Sequence, residues 1–179
     1  MKLIIASNNA HKIREIKAIL GGRFDQVLSM QEAGLDMEIE ENGTTFRENA
    51  LIKARAVADA AGCAALADDS GLSVGALNGA PGVYSARYAG THGDDEANND
   101  KLLREMQDVP DGQRGAAYHC AIALVRPGRG ELVAEGGCPG VILRKRQGSG
   151  GFGYDPLFFL PEYGCTMAQL TPQQKNSGS

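Results

Sequence analysis

The chain has 179 residues, of which 42% are hydrophobic and 22% charged, with a formal net charge of −4. This composition suits one soluble domain, with room for two lobes and a sizeable core. The mild acidity excludes a surface built as a whole for nucleic acid or membrane, so any polyanion must be met by a local group of cations or a metal ion.

In chain order, Lys2 to Ala6 is a short apolar run fit for a buried strand, broken by Ser7-Asn8-Asn9. "AHKIREIKAIL" then sets Ile13, Ile16, Ile19 and Leu20 on one helical face, ended by Gly21-Gly22. A second helix is predicted within "TTFRENALIKARAVADAAG", where Thr45 and Glu48 form a capping-box pattern and Gly62 supplies the C-terminal cap. "CAALA" reads as a strand that delivers Asp68-Asp69 at its C-terminal end. After the loop-like "GAPGVYSARYAG", "DEANNDKLLREMQ" reads as a helix with an acid-rich first turn. "AAYHCAIALV" and "GELVAEGG" flank "RPGR" as a hairpin, with a further strand at "GVILRK". The predicted fold class is α/β, a mixed sheet flanked by helices.

Cys63, Cys120, Cys138 and Cys165 include no C-x-x-C pair, which argues against zinc and against a disulfide framework. They are expected as buried thiols in a reducing compartment. His11, His92 and His119 are scattered, and His119 reads as a core histidine. No apolar run approaches the ~18 residues of a membrane span. The opening "MKLIIASNN" turns polar too early for a signal peptide, so a cytoplasmic protein is expected.

Four stretches could carry chemistry. In "ASNNAHK" a helix start presents unpaired N–H groups, with Lys12 in its first turn, which suits a phosphate as well as a plain capped helix. In "LADDSGL" adjacent carboxylates repel unless something cationic meets them. Magnesium takes such hard oxygens, and a free carboxylate could accept a proton from water, while a solvated turn is the other reading. "MEIEENG" offers Glu40 as a second metal ligand or as part of an exposed strand face, and Lys53 in the following helix could reach the same phosphate or water. In "GSGGFGYDPLFF" glycines surround Phe152 and Tyr154, a loop suited to close approach and base stacking, or a turn entering a core strand. The basic "RKRQ" at residues 144–147 reads as a solvated hairpin end.

Taken together, "SNNAHK", "ENGTTFRENALIKAR", "LADDSGL", "GAPGVYSARYAG" and "GGFGYDPLFF" resemble the inosine triphosphate pyrophosphatase family, in order and spacing, from Met1 to about Asn176. The resemblance implies an elongated mixed sheet with two lobes and a central cleft, usually in a homodimer. It implies Mg²⁺-dependent hydrolysis of ITP, dITP and XTP to the monophosphate and pyrophosphate, with no nucleic-acid or membrane partner. It also implies that Ser7, Asn8, Asn9, Ala10, His11 and Lys12 line the triphosphate, with Lys53 beside them. Glu40 and Asp69 would hold the metal, with Asp68 as a neighbouring ligand and Asp69 also the proton acceptor. Ser70 would touch substrate, Phe152, Gly153, Tyr154 and Asp155 would bind the base, and Lys175 would make a further substrate contact.

Two departures stand out. The phosphate loop has Ser-Asn-Asn where Thr-Gly-Asn is common. The sequence closes on "QQKNSGS", without the family's Ser-His-Arg motif and final helix, so the expected domain, 1–179, is C-terminally short. The expectation that follows beside hydrolysis is a nucleotide-binding protein with weak or no turnover. Hydrolysis of modified pyrimidine triphosphates, as in Maf-like pyrophosphatases, is a third.

Overall fold

The computed structural model describes residues 1–7, 9–171 and 174. Asn8 and Lys175, both expected at the substrate, lie outside the described residues. Strands β1 (Lys2–Ile5), β2 (Gln26–Ser29), β3 (Ala64–Val74), β4 (Gly115–Arg126), β5 (Gly130–Ile142), β6 (Phe158–Leu160) and β7 (Cys165–Thr166) form a seven-stranded sheet in the order β2-β1-β3-β4-β5-β6-β7. The sheet is mixed: β1 is parallel to β2 and β3, while β5–β6 and β6–β7 are antiparallel. Helices α1 (Ala10–Leu20), α2 (Phe46–Ala61) and α3 (Asp95–Glu105) complete it. The α/β class is as the sequence predicts.

The chain divides into two compact units, Met1–Asp69 with Cys120–Gly136, and Ser70–His119 with Gly137–Ser179. Each has its own core. In the first, Ile4 and Ala6 of the β1 run, Ala65 and Ala67 of β3, and Ala121 and Ala123 of β4 pack with Ala50, Ala54 and Val57 of α2. Alanines recurring along α2 let the helix lie close to the sheet. The second core gathers Leu72, Val74, Leu102, Met106, Ile142, Leu157 and Phe158. Beside it, buried Arg114 spends its guanidinium on the carbonyls of Met106, Val109, Ile142 and Leu143. These bonds satisfy chain segments that leave regular structure.

Several predicted elements shift. Asp68-Asp69 does not end a strand, because apolar residues resume at Leu72 and Val74 and β3, eleven residues long in all, runs on to Val74. What ends there is its neighbour: β1 pairs with β3 only as far as Ile5↔Leu66, then turns into the loop before α1. The two strands predicted on either side of Cys138-Pro139 merge into β5. Among the described residues β5 pairs with β6 at Val141 and Ile142, past Pro139, and a Cβ on Gly140 would lie 2.6 Å from the Phe158 ring. On α1, Ile13, Ile16 and Leu20 are half-buried but Ile19 is 71% exposed, so its apolar face is narrower than predicted.

The capping box of α2 is only half formed. Thr45 Oγ accepts from Glu48 N–H, while the Glu48 carboxylate turns to Thr44. The "RKRQ" arginines are tied down, Arg144 to Asp111 and Arg146 to Asp100. The four thiols are free and half-buried rather than buried, and His119 is half-buried as well.

Candidate active site

Strands β1 and β2 of the first unit finish at one level, Ile5 beside Ser29, and ligands of α/β sheets collect beyond such carboxyl ends. The loop after β1 arrives there. Ser7 Oγ accepts from Asn9 N–H at 3.1 Å, and Asn9 Oδ1 accepts from the N–H groups of His11 and Lys12, capping α1. Ala10 and His11 are exposed in that first turn. Lys12 turns from the helix toward β3, its Nζ 3.1 Å from Asp68 Oδ2.

Lys53 reaches the same place from α2. Its Nζ donates to the Asp68 carbonyl, lies 2.7 Å from Glu41 Oε1 and stands 4.0 Å from Asp69 Oδ1. Asn49, four residues earlier and so on the same helical face, is 1% exposed; its Oδ1 accepts from Gly43 N–H. That bond ties the acidic stretch to α2 next to the residue pair where Glu41 sits. Glu40 is exposed, and Glu41 is the acid that meets Lys53.

Two lysines therefore face three carboxylates, Asp68, Asp69 and Glu41, in a poorly hydrated place. Burial pushes the Asp69 carboxyl up to about 6; Lys53, Asn49 and Lys12 pull it down and Glu41 raises it further. The Cys120 thiol is pushed up to about 11 by burial and by Asp68 and Asp69, against the two lysines. A thiol so disfavoured as thiolate is no nucleophile.

One observation bears directly on a metal. Asp68 Oδ1 and Asp69 Oδ2 are buried and have no hydrogen-bond partner. Leaving such oxygens unsatisfied costs about 1–3 kcal/mol apiece, more when charged, so a native protein keeps them for a reason. Among the described residues no group of three or more His, Cys, Asp or Glu converges as a ready-made cage. Magnesium needs none, since it commonly takes one or two carboxylates and completes its shell with phosphate oxygens and water. The donor set fits a hard divalent ion.

In the second unit the segment 151–155 is a tight turn. Phe152 N–H donates to Asp155 Oδ2, and a Cβ on Gly151, whose φ is +71°, would lie 2.1 Å from that oxygen. Phe152 and Gly153 are half-buried. Tyr154 is 3% exposed, with its ring in the core and its hydroxyl donating to the Ser85 carbonyl at 2.6 Å. Its ring is therefore committed to the core and does not present a face for stacking. Ser70, half-buried, continues β3 beyond the aspartates.

Sequence reasoning missed Glu41, Asn49 and Cys120. The helical period counted back from Lys53 would have found Asn49. Glu41 was hidden by the alternation that favoured Glu38 and Glu40, and Cys120 needs the pairing of β4 beside β3.

Buried carboxylate oxygens left bare between lysines, beside the end of a neighbouring parallel strand, are what an enzyme handling phosphate groups with a divalent ion requires. The chain belongs to the Ham1 family, whose model matches residues 3–179. It is 50% identical to a dITP/XTP pyrophosphatase of Clostridium perfringens over 98% of this chain and 89% of that protein. It is 52% identical to one of Geobacter sulfurreducens, over 99% and 89%. Among solved structures, the Staphylococcus aureus Ham1 protein superposes with a TM-score of 0.87 at 44% identity, covering 98% of this chain and 90% of that one. A Ham1 protein from Coxiella burnetii gives 0.88 at 41% identity, covering 99% and 90%.

Proposed function

We propose that this chain hydrolyses non-standard purine nucleoside triphosphates, ITP, dITP and XTP, to the monophosphate and pyrophosphate, and so clears them from the nucleotide pool. Relatives named dITP/XTP pyrophosphatases at about half identity over nearly the whole chain support the activity. The observation that carries the site is the pair of unpartnered oxygens on Asp68 and Asp69.

In this reading Asp68 and Asp69 hold Mg²⁺, with Glu40 the further ligand that the family resemblance implies. Bound there, the ion neutralises phosphate charge and polarises the bond to be broken. The protein's own residues do the rest. Lys12 and Lys53 bring positive charge to the triphosphate, and the start of α1, from Ser7 to Lys12, lies against it. Asp69 takes the proton of the attacking water. Water attacks the α-phosphorus and pyrophosphate leaves. Phe152, Gly153, Tyr154 and Asp155 form the wall against which the base sits, with Ser70 and Lys175 as further contacts. A site that hydrogen-bonds a 6-keto oxygen disfavours adenine, whose amino group leaves that partner unmatched.

Among the described residues no helix is long and apolar enough to cross a membrane, and the four thiols are free. These support action in the cytoplasm; the resemblance adds a homodimer. The test is a panel of ITP, XTP, dITP, GTP and ATP with Mg²⁺, read as pyrophosphate released. Rapid release from the first three is expected, and release from none of them overturns the reading.

A further inference from the structure

The loop that holds Phe152 to Asp155 is gripped by α3 through both backbone groups of a single residue. Gly153 N–H donates to Asp95 Oδ2 at 2.9 Å, and the Gly153 carbonyl accepts from Asn99 Nδ2 at 2.9 Å. Asp95 and Asn99 are four residues apart, so the helical period places them on one face. Gly153 has φ +62°, a backbone angle that side chains resist, so the grip closes on a conformation other residues would not adopt readily.

Asn99 is 2% exposed, and its amide also donates to the Asp95 carbonyl at 2.8 Å. Two carbonyls facing Nδ2 fix the amide's orientation, since a reversed amide would set oxygen against oxygen. The consequence is that Asn99 Oδ1 stays buried with no partner. A fold that leaves an acceptor bare in order to keep this bond is using the bond for something. The same body extends further. Asn98 ties α3 to the carbonyl of Ala86 and the N–H of Ala89, and Ser85 receives the Tyr154 hydroxyl. The "GAPGVYSARYAG" turn and the acidic start of α3 thus converge on the loop.

We propose that Asp95 and Asn99 are positioning residues for base selectivity, holding Gly153, and with it the recognition segment, in the one conformation that fits the base. This rests on the reading that residues 152–155 bind the base. Freed from the tether, the loop spends less time in that conformation, and apparent affinity falls by the lost fraction. Chemistry at Asp69 is untouched, so KM moves and kcat does not.

The experiment uses the full chain with Mg²⁺: steady-state kinetics on ITP and ATP, with inorganic pyrophosphate as an inhibitor that probes the phosphate cluster alone. Loss of one hydrogen bond predicts that Asp95→Ala raises KM for ITP about fivefold at constant kcat. Asp95→Asn keeps an oxygen to accept from Gly153 N–H and should return within about twofold of the parent. Asn99→Asp sets a carboxylate against two carbonyls and should raise KM about tenfold or more, narrowing the preference for ITP over ATP. Inhibition by pyrophosphate should stay constant throughout. Should Asn99→Asp fail to fold, the Asp95 pair, on an exposed residue, still decides. Unchanged KM for ITP in Asp95→Ala overturns the proposal. So does a loss shared equally by KM, kcat and pyrophosphate inhibition, or an Asp95→Asn as poor as Asp95→Ala. A parent protein inert toward ITP sinks the base-loop reading itself, whereas an active parent with unaltered variants sinks only the tether.

Discussion

In the first unit, Asp68 and Asp69 each keep a buried oxygen bare. In the second, the loop around Gly153 has its polar groups committed: Phe152 N–H to Asp155, both groups of Gly153 to α3, and the Tyr154 hydroxyl to Ser85. On the proposed function, the carboxylate cluster is completed by something that arrives, an ion and a triphosphate. The glycine-rich loop is completed already and presents a fixed shape. Electrostatic catalysis needs charge held unsatisfied until the ligand binds, whereas discrimination among bases needs geometry that does not adapt. The contrast can be broken at either end.

The largest effect is expected at Asp69. Asp69→Asn should lower kcat by about a thousandfold or more while KM for ITP changes little, because the proposed base is lost but the lysines remain. Equal losses in kcat and affinity would make Asp69 structural. Next comes Lys53→Met, which removes the proposed phosphate contact and leaves Glu41 and the Asp68 carbonyl without this donor. A fall of about 100-fold in kcat/KM is expected, reporting roughly 3 kcal/mol of lost transition-state binding.

Stability should respond in opposite directions in the two units. Since Asp69 ionises only near pH 6, its folded-state carboxyl binds a proton that the unfolded chain has already released between about pH 4 and 6. The group therefore favours the fold at low pH and loses that contribution as pH rises through 6. Asp69→Asn should stabilise the metal-free protein by about 1–3 kcal/mol at pH 7, with the gain vanishing near pH 4. Urea melts at the two pH values check it, and a destabilised variant at pH 7 would contradict it. In the second unit, Gly151→Ala should destabilise by about 1–3 kcal/mol, since its Cβ meets Asp155 and its φ is positive. The smallest effect is Tyr154→Phe, about 1 kcal/mol, for one buried hydroxyl bond.

Much of this was legible from residues alone. The helix starts were, because Asn9, Thr45 and Asp94 cap their own helices through local bonds. So was the grouping of Lys12, Lys53 and the aspartates, through the family resemblance and the strand–loop–helix pattern. Local pattern failed where the partner was distant. Nothing near Asp68 in sequence says that β1 stops opposite Leu66, so local pattern reads a strand end where only the neighbour ends. The aromatic of "GFGYD" suggested a stacking platform, but Tyr154 is committed to the core by Leu72, Leu157 and Phe158. The acid-rich start of α3 looked like a response to the helix dipole. Only the fold shows Asp95 and Asn99 facing Gly153.

The claim on which the rest depends is that the bare oxygens of Asp68 and Asp69 receive a divalent ion. Titrating Mn²⁺, as a paramagnetic stand-in for Mg²⁺, into the protein with a non-hydrolysable ITP analogue tests it through water-proton relaxation, without reference to turnover. One ion bound per chain, weakened at least tenfold in both Asp68→Asn and Asp69→Asn, is the predicted result. Binding unaltered by either substitution would contradict the account at its base.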